Sequence, residues 1–314
     1  MMNRRLFLKS ASLLGIEAMV NTSCKNGGQT NAAPKHKRFG LQVFGVCAEL
    51  AKDIPGGFVR LKEMGYDTLE LAGYRNDGSI ALFHDPIPLT DYRKMAEDAG
   101  LKITSSHVRT PQPVYTRDNK QEVLDFWKRT VEHHALLGST YLVQAAIPTC
   151  RSIEDVELVA EVFNDAGRIV QDAGMLFTFH NEVNVAMRVV PGGTESVYSL
   201  TGRYEEGARQ IFDILLEKSD PGVVCFELDG LAAVLGGNDP VLYLQQYPKH
   251  FRLMHVKDRE ALGASGMINN ENIFRQFYTN GMKDFFVEDE NFMSGHQFER
   301  VAESARYLQE ADFV

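Results

Sequence analysis

The chain has 314 residues, of which 44% are hydrophobic and 24% are charged, as is ordinary for a globular protein. Its formal net charge of -9 argues against a nucleic-acid backbone as the main partner, because such binding needs a basic surface. The four cysteines, at positions 24, 47, 150 and 225, are too scattered for a zinc knuckle or a disulfide framework.

The first 24 residues resemble a bacterial export signal of the twin-arginine type. Arg4 and Arg5 are followed by Leu-Phe-Leu-Lys, and the apolar stretch 11–20 is shorter than the roughly 20 residues that span a bilayer. Cys24 resembles the acylated cysteine of a lipoprotein, although Asn21 stands where an aliphatic residue is usual. We therefore predict a signal peptide over 1–24, a polar tether over 25–37, and export to the periplasm or outer membrane. A lipid anchor at Cys24 stays open, and a disordered basic leader is the alternative.

From residue 39 the chain repeats a pattern of a short apolar run followed by a helical stretch. Predicted strands are 39–46, 68–72, 102–107, 141–146, 176–180, 223–229, 252–256 and 284–288. Predicted helices are 51–64, 89–99, 120–137, 153–173, 204–218, 240–246, 273–279 and 297–308. Eight alternating pairs predict a parallel sheet closed into a (β/α)8 TIM barrel, a single α/β domain over residues 38–314. A doubly wound sheet is the runner-up, but residues 45–49 form no glycine-rich phosphate loop.

Polar side chains stand where the predicted strands end, which is where barrels of this kind place their chemistry. Substrate contacts are predicted for Gln42, Glu70, Gln144 and Glu227. Catalytic roles are predicted for His107, His180, Glu182, Lys257 and Glu288.

The ends of strands six, seven and eight carry Asp229, His255 and Glu288. Alternation along a strand sets Asp229 on one face with Glu227, and His255 with Lys257. Two carboxylates and an imidazole at one end of a barrel predict a site for Mn²⁺, Mg²⁺, Co²⁺ or Zn²⁺. Taken singly, Asp229 suits a helix cap, Glu288 a salt bridge and His255 a buried core histidine; their position at successive strand ends favours the metal.

Six segments, in order from residue 39 to the C-terminus, resemble the sugar phosphate isomerase/epimerase group of xylose-isomerase-like barrels. They are Phe-Gly-Leu-Gln-Val-Phe-Gly-Val from residue 39, Leu-Glu-Leu-Ala-Gly-Tyr from 69, Ser-Ser-His-Val from 105, Phe-Glu-Leu-Asp from 226, His-Val-Lys-Asp from 255 and Val-Glu-Asp from 287. The resemblance implies a divalent metal held by a strand-five carboxylate together with Asp229, His255 and Glu288. It also implies isomerisation or epimerisation of a sugar through an enediolate, and it is compatible with a homodimer.

The chain departs from that group at strand five, where the group's pattern is His-Asn-His-x-x-Glu-Phe. Here the sequence reads His180-Asn-Glu182-Val-Asn-Val185-Ala, so the second histidine is glutamate and the expected glutamate is valine. Continued alternation places Glu182 on the face of His180 and predicts it as the replacement ligand. The alternatives are a metal with three protein ligands or a degraded site.

We expect a carbohydrate substrate whose carbonyl the metal polarises while a base removes the neighbouring proton. Glu182, Glu288 or His107 is the expected base, with His180 or Lys257 as its electrophilic partner. An exported location favours an unphosphorylated sugar. Alternatives on the same scaffold are a 3-keto-glycoside lyase or hydrolase, a polyol dehydratase, and a non-catalytic sugar-binding protein at the cell surface.

Overall fold

The computed structural model describes residues 37–199, 201–289 and 295–314. The predicted signal peptide and the tether as far as residue 36 lie outside these ranges. Lys37, the last residue of the predicted tether, donates from Nζ to the carbonyls of Leu308 and Ala311 near the C-terminus. No helix among the described residues is long and apolar enough to cross a membrane.

Eight parallel strands close into a barrel, which confirms the predicted fold class. They are β1 (Gly40–Gln42), β2 (Thr68–Leu71), β3 (Lys102–Val108), β4 (Tyr141–Gln144), β5 (Leu176–His180), β6 (Val224–Asp229), β7 (Phe251–Asp258) and β8 (Asp284–Asp289). Each strand pairs with the next in the chain, and β8 pairs with β1. The carboxyl ends of all eight strands therefore meet at one end of the barrel.

Helices surround the barrel and begin, in several cases, at a side-chain cap. They are α1 (Cys47–Leu50), α2 (Ile54–Met64), α3 (Leu89–Asp98), α4 (Lys120–Ala135), α5 (Ile153–Asp172), α6 (Ile211–Lys218), α7 (Gly230–Leu235), α8 (Pro240–Gln246), α9 (Asn270–Thr279) and α10 (Gln297–Glu310). Asp53, Ser152 and Asp239 accept hydrogen bonds from the first-turn N–H groups of α2, α5 and α8. Such caps satisfy donors that have no partner within the helix.

The first strand is shorter than predicted. It ends at Gln42 because the Gln42 side chain accepts a hydrogen bond from Phe44 N at 3.0 Å and starts the 3-10 turn Val43–Val46. A side chain that bonds its own backbone two residues on competes with continued strand pairing. The chain then enters α1 over the carboxyl end of the barrel instead of continuing as a strand.

The predicted helix over 204–218 is wrong in its first half. Helix α6 begins only at Ile211, and the two residues before it, Arg209–Gln210, pair antiparallel with Arg188–Val189. Gly207 has a φ of 81°, a backbone conformation that a right-handed helix does not contain. The segment between β5 and α6 thus forms a small ribbon.

The barrel interior is apolar at its amino end and polar at its carboxyl end. Tyr141, Val143, Leu253 and Phe286 form a buried cluster across the floor. Gly40 is required beside it, since a Cβ at this position would lie 2.3 Å from Cδ1 of Phe286. The packed floor leaves the carboxyl ends of the strands as the part of the interior that is open to polar chemistry.

His134 in α4 predicts acid sensitivity of the fold. Burial lowers its pKa to about 4, while its Nδ1 bonds the carbonyl of Thr130. Between pH 6.5 and 4 the unfolded chain gains a proton that the folded chain does not, so stability falls as pH falls, by on the order of 3 kcal/mol. We expect His134→Gln to flatten this part of the pH dependence of the unfolding free energy, measured by urea denaturation. An unchanged slope would contradict the assignment.

Candidate metal centre

Strand register brings the predicted site residues to one level. Asp229 lies opposite His255, and Lys257 lies opposite Glu288. His180, the last residue of β5, lies opposite Glu227. Three neighbouring strand pairs therefore deliver carboxylates and imidazoles to adjacent positions around the interior.

Four of these residues form a compact group with the donor types that divalent metals bind. His180, Asp229, His255 and Glu288 each offer one ligand atom, and these atoms all lie within 4.8 Å of one another. All four side chains are buried or nearly so. Asp229 uses its Oδ1 to cap α7 by accepting from Ala232 N at 2.7 Å, which turns its Oδ2 toward the other three.

The group contains buried polar atoms that no hydrogen bond satisfies. Both ring nitrogens of His180 and Oδ2 of Asp229 are in this state. The nearest approach between them, from His180 Nε2 to Asp229 Oδ2, is 3.5 Å. Because burying such atoms without a partner is costly, one ring nitrogen of His180 and Oδ2 of Asp229 fit a bound cation to which each would donate a lone pair.

Lys257 supplies positive charge between the two carboxylates of this group. Its Nζ lies 2.8 Å from Glu288 Oε2 and 3.3 Å from Asp229 Oδ2. Burial would raise the pKa of Asp229, but Lys257 and His180 lower it to about 2. Burial opposes ionisation of Glu288 as well, yet Lys257 and His255 hold its pKa well below the usual range. Both carboxylates are therefore ionised and ready to bind a cation.

A second group lies one layer deeper and shares His255. Its members are Glu70, His107, Glu227 and His255. His255 Nε2 lies 2.6 Å from Glu70 Oε2 and 3.2 Å from Glu227 Oε1, while its Nδ1 lies 3.0 Å from Glu288. The imidazole of His255 thus connects the two groups, with Nε2 toward the deeper carboxylates and Nδ1 toward the first group.

Glu70 is the centre of this deeper network. It is fully buried and accepts hydrogen bonds from Gln42 Nε2 at 2.8 Å and from Ser105 Oγ at 2.6 Å. Burial would raise the pKa of Glu70, but His107 and His255 hold it well below the usual range. In turn, burial would lower the pKa of His107, and Glu70 and Glu227 raise it to about 9. With no metal bound, His107 is a cation and a hydrogen-bond donor at neutral pH.

A cavity of about 550 Å³ opens onto the first group. One wall is apolar and aromatic, with Phe44, Tyr74 and Leu82, and Val183 and Leu235 lie around the same opening. The polar lining comprises His107, Arg109, His180, Glu182, Asn184, Asp229, Lys257 and Glu288. A pocket with an apolar wall and a few convergent polar groups is typical of a small-molecule site.

The predicted strand alternation does not reach Glu182, and its place among the metal ligands stays a prediction. Strand β5 ends at His180, and Glu182 precedes the 3-10 turn Val183–Ala186, so the period of two does not extend to it. Its carboxylate lies 3.7 Å from Arg109 at the cavity rim and belongs to neither group. His180 holds the fourth position beside Asp229, His255 and Glu288.

The four residues predicted to contact substrate lie beneath the described cavity. Gln42, Glu70, Gln144 and Glu227 are at most 2% exposed, and none of them lines it. Gln144 donates to the carbonyl of Ala146 at 2.6 Å. Their substrate contacts stay a prediction, whereas His107, His180, Glu182, Lys257 and Glu288, predicted as catalytic, line the cavity.

Two residues at the site were not singled out from the sequence. Asn181 accepts from Asp229 N at 3.0 Å and donates to the Asp229 carbonyl at 3.2 Å, which fixes the end of β6. Arg109 lines the cavity. Its position directly after the end of β3 was a usable signal, because barrels of this kind place their functional side chains where strands end.

Comparison with known proteins agrees with this geometry. A closed (β/α)8 barrel with buried carboxylates and imidazoles at its carboxyl end defines a class of barrel proteins with a candidate metal centre. The family model of the xylose isomerase-like TIM barrel matches residues 58–311. The chain belongs to this family, and the resemblance seen in the sequence is confirmed. No curated protein matches the sequence.

Solved structures support the same assignment. A sugar phosphate isomerase/epimerase from Parabacteroides distasonis is 40% identical over 90% of this chain and 97% of its own, with a TM-score of 0.83. A second protein of that description from the same organism is 38% identical over 88% and 99%, with a TM-score of 0.77. A 3-keto-D-glucoside 4-epimerase from E. coli, at 15% identity over 88% and 100% and a TM-score of 0.62, shares the fold.

Proposed function

We propose that the protein is a divalent-metal-dependent sugar isomerase or epimerase that acts on a sugar or keto-sugar through an enediolate. The observation that carries this proposal is the buried group of His180, Asp229, His255 and Glu288, whose unsatisfied atoms fit a cation. The two similar proteins described as sugar phosphate isomerase/epimerase support the reaction class.

The donor set fits a divalent metal with some preference among metals. His180, Asp229, His255 and Glu288 would hold the ion, and two imidazoles beside two carboxylates favour Mn²⁺, Co²⁺ or Zn²⁺ over Mg²⁺, which prefers oxygen. When bound, such an ion polarises a substrate carbonyl and stabilises the negative charge that develops on its oxygen.

The remaining cavity residues divide into a base and proton donors. Glu182 is the best-placed base, because its carboxylate lines the cavity while Asp229 and Glu288 are held in the buried group. Lys257 and His107 line the same cavity, where each can donate a hydrogen bond to a substrate oxygen. Removal of the proton next to the carbonyl gives the enediolate. Return of a proton to the neighbouring carbon gives isomerisation, and return to the original carbon from the opposite face gives epimerisation.

The proposal is tested by exchange of carbon-bound hydrogen. The purified chain, loaded with Mn²⁺ or Zn²⁺, is incubated in deuterated water with free ketoses and 3-keto-glycosides, and the recovered sugars are analysed by mass spectrometry after chelation. Deuterium incorporation that requires the metal is the expected result. Binding of sugars without exchange in any of them would instead indicate a non-catalytic sugar-binding protein and would refute the proposal.

Glu70→Gln is expected to weaken metal binding without unfolding the barrel. The variant removes the charge that orients His255 through Nε2 at 2.6 Å but keeps an oxygen that accepts from Ser105. Loss of such an outer partner typically costs about 10- to 100-fold in metal affinity. The affinity is measured by titration with Mn²⁺, and thermal unfolding of the metal-free proteins serves as the control. An unchanged affinity would show that Glu70 does not position His255.

A further inference from the structure

The charges that line the cavity are already paired with one another. Among the described lining residues the permanent cations are Arg109 and Lys257. Lys257 lies between Asp229 and Glu288, and the Arg109 guanidinium lies 3.7 Å from Glu182. A phosphate dianion bound here would therefore find no cation without a carboxylate partner, whereas phosphate sites in proteins depend on arginine, lysine or free N–H groups.

Barrels of this kind often bind phosphate in the loops after strands seven and eight, with help from a helix N-terminus. In the loop after β7, the carboxylate of Asp258 takes the place that a bound phosphate would have. It accepts hydrogen bonds from Arg259 N at 2.7 Å, from Gly263 N at 3.1 Å and from Ser265 Oγ. Asp258 is fully buried. Its carboxylate thus uses the N–H groups that a phosphate would need.

A carboxylate of the protein also engages N–H groups in the described residues after β8. At the start of α10, Gln297 N donates to Glu49 Oε1 at 2.7 Å and Phe298 N lies 3.4 Å from the same oxygen. Arg300, one turn into the helix, donates to Asp289 at 2.6 Å. The two N–H groups and the Arg300 guanidinium are therefore engaged by carboxylates of the protein.

The opposite wall of the cavity suits an uncharged ligand. Phe44, Tyr74 and Leu82 present apolar surface, and the Tyr74 hydroxyl is held by His133 Nδ1 at 2.8 Å. Sugars bind such surfaces through the apolar faces of their rings while their hydroxyls bond to polar groups on the other side.

We infer that this site takes an unphosphorylated sugar and rejects the phosphate ester. Glu182 pairs with the arginine of the cavity, and Asp258 and Glu49 engage N–H groups in the two regions where such barrels bind phosphate. The inference rests on the proposed function, since it specifies the substrate class of the same site. The substrate of this chain would then lack the phosphate group that the description of the two similar structures mentions.

The experiment compares two matched pairs of ligands on the metal-loaded full chain: D-fructose with D-fructose 6-phosphate, and D-xylulose with D-xylulose 5-phosphate. Equilibrium binding is measured by calorimetry at low ionic strength. Each free sugar is expected to bind at least about tenfold more tightly than its ester, because the ester brings like charge to a carboxylate-rich cavity. Added salt should narrow the gap by screening.

Glu182→Gln leaves Arg109 without its carboxylate partner. In this variant we expect the ratio of ester affinity to free-sugar affinity to rise by about threefold, as for an exposed ion pair. Glu303→Gln, which changes the same charge at an exposed position of α10, is the matched control and should alter neither affinity.

The inference would be overturned if the natural protein bound the esters more tightly than the free sugars, or if it bound neither member of either pair. It would also be overturned if the ratio of ester affinity to free-sugar affinity were the same in Glu182→Gln and in the natural protein. Deuterium exchange in the same samples keeps the two proposals apart. Exchange with a preferred phosphate ester would refute the inference alone, and tight binding of free sugars without exchange would refute the proposed function alone.

Discussion

Asp229→Asn is expected to lower turnover by about a thousandfold and metal affinity by more than about a hundredfold, while the barrel stays folded. The two oxygens of Asp229 have separate tasks. Oδ1 caps α7 through Ala232 N, and Oδ2 faces Lys257 at 3.3 Å and the ring of His180. Asparagine caps helices as well as aspartate does, so the substitution keeps the first task and removes the charge needed for the second.

The control for this variant is Asp239→Asn. Asp239 caps α8 by accepting from Val241 N at 2.8 Å, and it does not line the cavity. Metal content by mass spectrometry, turnover and thermal unfolding are measured for both proteins. Loss of metal in Asp229→Asn alone is the expected pattern. Equal metal content in the two variants would show that Asp229 is only a helix cap.

The convergence of Asp229, His255 and Glu288 could be predicted because the strands of a closed parallel barrel all end at the same, polar end of its interior. Val223 to Leu228 and the runs before His255 and Glu288 are apolar enough to define buried strands, and all three strands were predicted within two residues of their observed ends. Once strands are parallel and closed, their carboxyl ends must meet. The convergence of Asp229, His255 and Glu288 therefore follows from chain order and alternation alone.

Depth inside the barrel could not be predicted in the same way. Glu227 and Asp229 share a face, but two residues along a strand separate them by about 7 Å, which is one layer of side chains. That distance decides whether a carboxylate lines the cavity, as Asp229 does, or supports it from beneath, as Glu227 does. The sequence pattern contains no measure of how high the packed floor of Tyr141 and Phe286 rises, so it could not separate Glu227 from Asp229 in depth.

The different positions of His180 and Glu182 have a local cause. Alternation holds only while a strand continues, and β5 ends at His180 because Asn181 turns to bond the backbone of Asp229. Beyond that point the direction of a side chain depends on the loop. Glu182 consequently lies at the rim with Arg109, and His180 completes the buried group.

Glu182→Gln tests the general-base role that we propose for Glu182. The variant is expected to reduce turnover by about 10²- to 10⁴-fold, the usual loss when a general base is removed. Metal affinity should stay within about twofold of the natural protein, because the carboxylate belongs to neither buried group. His180→Gln is the complementary variant: it removes a buried imidazole of the group and should weaken metal binding.

The two variants are compared by titration with Mn²⁺ and by the rate of deuterium exchange into the substrate, with Glu303→Gln as the surface control. If Glu182→Gln loses turnover but keeps its metal affinity, Glu182 is the base at the cavity rim. If metal affinity falls in Glu182→Gln and is unchanged in His180→Gln, Glu182 is the strand-five ligand that the family pattern implies. In that case the rim loop would have to move inward when the metal binds, because the carboxylate now lies 3.7 Å from Arg109.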